Sequence, residues 1–450
     1  MKHYHFIGIG GISMSGIAMI LKSRGYIVTG SDRSENEMVR ALEKAGIPVA
    51  IGQKASNITS DIDTVVYTAA IHDDNEELIA ARAVCPRVIE RSVMLGELLN
   101  ESRIPIAVAG THGKTSTSSI LACILMAAGK DPSFAIGGVL ASTNTNYRVG
   151  KGDHMLIEAC EYHDSFLDFH PVINIITNIE PEHLDYFKTF ENELASFDKY
   201  VSTMRPGGVL ITSPQLKEHF KTVTDHIFTV SVDGPSDIYA IDIVRHETGL
   251  GSSFHVVYQG QDLGQVDLYV PGRHLIYDCL CAIMAAIYDG IPFEAIQQGV
   301  AGYKATKKRF EYLGSWHGTA IVDDYAHHPS EIKATLKAAR EIPMKDLWVA
   351  FQPHTYSRTI NFFDDFVDAL SMADHIVLAD IYAAREVDTG VVSSKMLADA
   401  LRERGKDAYY FPTFDEIKNF LEKNISPKDL LITMGAGTIV DVAHSMLSEK

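Results

Sequence analysis

Apolar and polar positions along this chain fall into short blocks that switch between two spacings. "YHFIGI" (4–9) has strand length and is mostly apolar, and the stretch from Gly10 to Arg24 repeats its apolar residues at helical spacing. "YIVTGSD" (26–32) predicts a second strand and Glu35 to Ala45 a second helix. "DTVVYTAAI" (63–71) predicts a third strand, and "RSVMLGELLN" (91–100) a helix. Together they make a doubly wound unit that ends near residue 104. "IPIAVAG" (104–110) opens a second α/β unit. "HMLIEAC" (154–160), "VINIITNI" (172–179) and "GGVLITS" (207–213) are further strands, apolar enough to be buried on both faces. Between about 225 and 270 four strand-like runs follow one another without helices, which predicts an antiparallel patch on the central domain. A helix is expected from about His274 to Tyr288. From about 314 strands and amphipathic helices alternate again, in "GTAIVDDYA", "DLWVAFQ", "DHIVLADIY", "DAYYFP" and "DLLITMGAG". The pattern predicts an α/β protein of three domains: a Rossmann-like domain at 1–104, a central P-loop ATPase-like α/β domain with an antiparallel patch at 105–313, and a Rossmann-like domain at 314–450.

Composition narrows the function classes. Net charge is −18 and no basic block stands out, which argues against nucleic acid or an anionic membrane as the main partner. No segment approaches the apolar length of a membrane span, and the N-terminus lacks the apolar region of a signal peptide, so a cytoplasmic protein is expected. The five cysteines include no C-x-x-C pair, which fits reduced thiols. Cys279 and Cys281 read as core residues.

Two glycine loops carry the candidate chemistry. "GIGGISMSG" (8–16) follows a strand and opens a helix, where backbone N–H groups are free to meet a phosphate. Gly8, Gly10, Gly11, Ser13 and Ser15 form this candidate nucleotide-diphosphate site, and Asp32, at the end of the next strand, is placed to hold a ribose. The alternative is that the glycines only let strand and helix pack closely. A dinucleotide fingerprint would need glycine where Ser13 stands. The second loop, "GTHGKTST" (110–117), lies between the apolar "IAVA" and a helical pattern. Strand, glycine loop, Lys, Thr, helix is what a triphosphate needs. The backbone of Gly110, Thr111, His112, Gly113 and Ser116 wraps the phosphates, Lys114 supplies a cation and the Thr115 hydroxyl is a Mg²⁺ ligand. Glu158 ends a predicted strand of the same sheet and His183 lies just past the end of another, so their side chains are candidates beside that loop. Two rivals remain at this point: a dinucleotide-dependent oxidoreductase, which would ignore ATP, and a nucleotide-binding regulator without turnover.

"GIGGISMSGIA", "GTHGKTST", "EACEYHDSF", "TNIEPEHLDYF", "PGRH", "RFE", "DDYAHHPSEI", "QPHTYSRT", "DIYAARE" and "TMGAG" follow one another in an order that resembles the Mur ligases along essentially the whole chain. The resemblance implies a UDP-substrate domain, a central ATPase and a C-terminal domain closing over the cleft. It implies ATP and Mg²⁺, with UDP-N-acetylmuramate and L-alanine as substrates and an acyl phosphate between them. Thr115 and Glu158 would hold one Mg²⁺, and Glu158 and His183 a second. Asn178, His274, Asp278 and Asp324 would line the ATP site, Arg309 would reach the γ-phosphate, and Tyr325, His327, His354 and Arg358 would face the amino acid and the reaction centre. Glu161 is a further acidic position, with a solvated loop carboxylate as the alternative; some relatives carry a carbamylated lysine in this region, and Lys199 lies at a plausible distance, with an ordinary surface lysine as the alternative. The chain departs from the family at Leu275 and Asp278, where asparagines are usual, and at Thr355, where some members carry arginine. A carboxylate at 278 accepts from an adenine amino group but donates nothing to a ring nitrogen.

Overall fold

The computed structural model describes residues 1–68, 70–246, 251–305, 308–384, 386–388 and 390–448. Three sheets organise them. The first contains β1 (His3–Ile7), β2 (Ile27–Asp32), β3 (Val49–Ile51), β4 (Thr64–Tyr67) and β5 (Arg87–Glu90) in the order β3-β2-β1-β4-β5. All four pairings are parallel. The central strand β1 is buried along its whole length, His3 and His5 included. The crossover helices are α1 (Ile12–Ser23), α2 (Glu37–Lys44), α3 (Glu76–Val84) and α4 (Arg91–Asn100). Helix α1 buries Met14, Ile17, Ala18, Ile20 and Leu21.

The central sheet has ten strands: β6 (Ile104–Ala109), β7 (Ser133–Leu140), β8 (Thr145–Arg148), β9 (His154–Glu158), β10 (Ile173–Ile176), β11 (Val209–Thr212), β12 (Ile227–Ser231), β13 (Ile238–Arg245), β14 (Ser252–Tyr258) and β15 (Gln261–Leu268), in the order β15-β14-β13-β12-β11-β10-β6-β9-β7-β8. Its helices include α5 (Lys114–Ala127), α6 (Leu184–Phe187), α7 (Phe190–Ser202), α8 (Pro214–Phe220), α9 (Arg273–Tyr288) and α10 (Phe293–Gly302). The four late strands fall where the run of strand patterns placed them, but the patch does not begin antiparallel. Strand β12 runs parallel to β11 and makes a two-residue parallel contact with β13, Val230↔Ile238 and Ser231↔Tyr239. An antiparallel hairpin that the sequence pattern did not suggest lies at the other edge, between β7 and β8. It joins the central sheet to the first domain's helix: Asn146 on β8 donates its amide to the Ile12 carbonyl at 3.0 Å.

The third sheet holds β16 (Glu311–Trp316), β17 (Thr319–Asp324), β18 (Leu347–Phe351), β19 (His375–Leu378), β20 (Asp407–Tyr410) and β21 (Leu430–Met434), in the order β16-β17-β21-β18-β19-β20. Only β16 is antiparallel to its neighbour. The expected domain boundary at 313/314 falls inside β16. Two helices of this sheet bear on function: α11 (Pro329–Ala339) and α12 (Tyr356–Asn361). The chain divides into two compact units, one of Met1–Ile241, His255–Gln265 and Tyr277–Tyr303, the other of Asp242–Phe254, Val266–Ile276 and Lys304–Lys450. No helix among the described residues is long and apolar enough to cross a membrane.

Candidate active site

In the first unit, sheet register gathers the site. Ala109 at the end of β6 pairs with Ile176 of β10, and Val108 with Glu158 of β9. Three adjacent strand ends therefore deliver the loop 110–113, Glu158 and the segment 177–183 to one edge. The loop is held from behind. Asn178 accepts from the His112 N–H at 2.9 Å and donates to the His112 carbonyl at 3.0 Å. Its own carbonyl accepts from Thr111 N–H. Asn178, expected among the ATP ligands, thus shapes the loop in this structure. Gly113 has φ +81°, and a Cβ there would lie 2.5 Å from Asp278 Oδ1, so the loop closes onto a buried carboxylate of α9 that only glycine leaves room for. Leu275, the other departure from the family, is buried.

Lys114 opens α5. Its ammonium donates to the Gly110 and Thr111 carbonyls and to Glu161, 3.2 Å from Oε2. Burial pulls that ammonium down, and Glu161, Cys160 and Glu158 together more than offset it, so the group is held above the ordinary lysine value. Glu161 is 1% exposed, and its other oxygen lies 3.8 Å from His183 Nε2. His183 has φ +52° and packs against the Tyr162 ring at 4.4 Å. Thr115 donates to Glu158 at 3.0 Å, Ser118 donates to the same carboxylate at 3.0 Å, and Gly137 N–H at 2.6 Å. Thr115 and Glu158 are therefore brought together. His183 approaches the group through Glu161. A hydroxyl and a carboxylate side by side are hard oxygen donors that fit Mg²⁺. Lys199 is exposed on α7.

The N-terminal glycine turn belongs to the same unit. Gly8 and Ile9 N–H donate to the Ser31 carbonyl, and Gly10 N–H donates to Asp32 Oδ2 at 2.8 Å. Asp32 thus fastens the turn. A Cβ on Gly10 would meet Asp32, Asn36 and Val39 at 2.8 Å, so glycine serves close packing here as well. Gly11 caps α1 without a side-chain bond, Ser15 donates to Ile12 O, and Ser13 Oγ accepts from Arg91 at 3.0 Å.

The second unit has its own constellation. Arg309 lies 3.6 Å from Glu331 and over the Tyr325 ring at 5.3 Å. His327 Nδ1 is 3.2 Å from Glu331 and its ring is 5.8 Å from that of His354. His354 Nδ1 is 3.0 Å from Arg358 Nη1. Glu331 was not singled out in the sequence. It is the third residue of α11 and completes a capping box, reaching back to the N–H groups of His327 and His328. "HHPSE" carries that spacing, so the signal was present. Both oxygens of Asp324 accept from the protein, from Phe310 N–H, Ala326 N–H and the Thr335 hydroxyl. Burial raises its carboxyl and Arg309 opposes this. That is the geometry of a group that holds the strand end, alongside any contact to a ribose. His274 keeps an exposed side chain, and the surrounding protein together with the Arg309 charge lowers its imidazole below the ordinary histidine value.

Residues 3–103 match the family described as Mur ligase family, catalytic domain, residues 108–286 the Mur ligase middle domain, and residues 308–437 the Mur ligase, glutamate ligase domain. The UDP-N-acetylmuramate–L-alanine ligase of Agathobacter rectalis is 46% identical over 99% of this chain and 98% of its own. The chain belongs to the Mur ligase family. A ligase of the same name from Caldanaerobacter subterraneus is 43% identical across the full length of this chain and 98% of its own. The crystal structure of the UDP-N-acetylmuramate–alanine ligase from Thermotoga maritima superimposes with a TM-score of 0.84 at 28% identity, covering 100% of this chain and 99% of that one. This Mur ligase thus has the three-domain α/β fold of the family, and its glycine loops occur in the first and middle family segments.

Proposed function

We propose that this chain is an ATP-dependent amide ligase that joins L-alanine to the lactyl carboxylate of UDP-N-acetylmuramate, a cytoplasmic step in building peptidoglycan precursors. The carrying observation is the strand-end assembly of Lys114, Thr115 and Glu158 in a chain whose relatives of that name match it end to end. ATP enters at the loop 110–116. Lys114 exchanges a loop carbonyl and Glu161 for the phosphates, and its charge offsets theirs as the γ-phosphoryl moves. The substrate carboxylate forms a bond to the γ-phosphorus while the bond to ADP breaks. The alanine amine then attacks the acyl carbon, the carbon–oxygen bond to phosphate breaks, and phosphate departs as the new amide nitrogen loses its proton. Thr115 and Glu158 are the residues that would hold Mg²⁺, with His183 available to a second ion, and the metal would neutralise phosphate and carboxylate charge when bound. Arg309 supplies further positive charge for the γ-phosphate, and Arg358 pairs with the amino-acid carboxylate.

Phosphate release across a panel of amino acids and UDP-sugars tests this reading. L-Alanine is expected to be preferred, with glycine and L-serine poorer by roughly 10-fold or more, since one methyl group is worth about 1–3 kcal/mol. A clear preference for D-glutamate, a diamino acid or a preformed peptide would move the chain to another activity of the same family.

A further inference from the structure

A buried polar chain in the first domain serves no step of the proposed reaction. It lies on the face of the first sheet that packs Ile7 against Leu78 and Ala81 of α3. Glu77, the second residue of α3, is fully buried there, and polar groups from three separate segments converge on it. The Ser31 hydroxyl of β2 donates to Oε2 at 2.6 Å, and Asn57 Nδ2 donates to Oε1 at 3.2 Å. His5 Nε2 of β1 lies 2.8 Å from Oε1. Its Nδ1 lies 2.8 Å from the Thr29 hydroxyl, which also meets His3 Nε2 at 2.9 Å. Register puts these groups in line, since His5 pairs with Thr29 and Ile7 with Ser31. Apolar side chains would fill this space at less cost than a buried carboxylate, so packing alone does not account for it. Its bonds fix where β1 and β2 end. Those two strand ends carry the glycine turn: Gly8 and Ile9 donate to the Ser31 carbonyl at 2.8 and 2.9 Å, and the next residue, Asp32, takes the Gly10 N–H.

We propose that Glu77 is a positioning residue for the UDP-linked substrate. It holds the Ser31 side chain, the Ser31 carbonyl holds the start of the turn, and the turn then keeps the shape that the substrate meets. A carboxylate does this because both its oxygens accept. An amide of the same size offers one acceptor and one donor, so either Ser31 or His5 would have to reverse its bond. The inference rests on the UDP-linked substrate proposed above and on the glycine turn as its place.

Calorimetry on the full chain with UDP and ADP, paired with steady-state kinetics and thermal unfolding, tests it. Glu77→Gln and Ser31→Ala are each expected to weaken UDP about 5-fold or more, and the KM for UDP-N-acetylmuramate should rise in step. ADP affinity and the KM for ATP stay unchanged. The double variant should be no weaker than the poorer single one, because both changes break the same link. Leu99→Ala, a core truncation in α4, should lower the unfolding temperature while UDP affinity stays within about 2-fold of wild type. If Glu77→Gln does not fold, Ser31→Ala carries the test. UDP affinity within about 2-fold of wild type in the folded variants overturns the proposal. So does an equal loss in Leu99→Ala, which would mark Glu77 as structural only, or an equal fall for UDP and ADP. Losses that add in the double variant overturn it as well. Failure of the wild-type chain to bind UDP would overturn the substrate reading itself, whereas UDP binding that survives intact in the variants overturns only the role of Glu77.

Discussion

Lys114, Glu161 and Asp278 show how much of this site is decided between single side chains. Lys114→Ala is expected to abolish measurable turnover while UDP binding remains near wild type, and thermal unfolding should come at lower temperature because the buried Glu161 loses its cation. Turnover near wild type would remove Lys114 from the phosphate chemistry. Asp278 places a carboxylate against Gly113, at the positive end of α5 where a phosphate is to sit. Asp278→Asn should tighten ATP binding a few-fold, about 1 kcal/mol, by removing that like charge. An unchanged Kd for ATP would place the side chain outside the nucleotide's field. Lys114 and Thr115 were legible in the sequence because their loop is contiguous, and Glu158 because it ends an apolar run. The Lys114–Glu161 pair was not legible, since 47 residues separate its members and only the pairing of β6 with β9 brings them together.

At the level of elements, the phosphate loop depends on the segment after β10. Asn178→Ala removes both amide bonds to His112 and should raise the KM for ATP, with stability lower by about 1–3 kcal/mol. Denaturant unfolding and ATP kinetics on one preparation would check both effects. Helix α7 adds a pH dependence. Burial raises Glu193 from the ordinary carboxylate range to about 7. The folded chain then keeps a proton between about pH 4.5 and 7 that the unfolded chain has lost. Stability from this group is full below about pH 4.5 and falls as pH rises through 7, and the burial of Asp323, raised to about 6, acts in the same direction. Glu193→Gln should flatten the decline by about 2–3 kcal/mol, read as unfolding free energy at pH 5 and pH 8. An equal pH dependence in variant and wild type would contradict the assignment. The long buried strands and their helices were legible from apolar runs. The β7–β8 hairpin was not, because "TNYR" carries no alternation. Its register follows from docking on α1, which only the tertiary structure supplies.

For the whole molecule, the strand and helix alternation conveyed three α/β sheets, and motif order conveyed the family. The sense of individual pairings was out of reach, as the parallel contact between β12 and β13 shows, because pattern reports burial and not strand direction. The central claim is a reaction: ATP activates a carboxylate as an acyl phosphate before an amine takes it. The most direct measurement is the fate of the carboxylate oxygens. UDP-N-acetylmuramate labelled with oxygen-18 in its lactyl carboxylate is incubated with this chain, ATP and L-alanine, and the released phosphate is analysed by mass spectrometry. The account predicts one labelled oxygen in each phosphate, formed together with the amide. Label that never enters phosphate, or that appears in AMP, would contradict it.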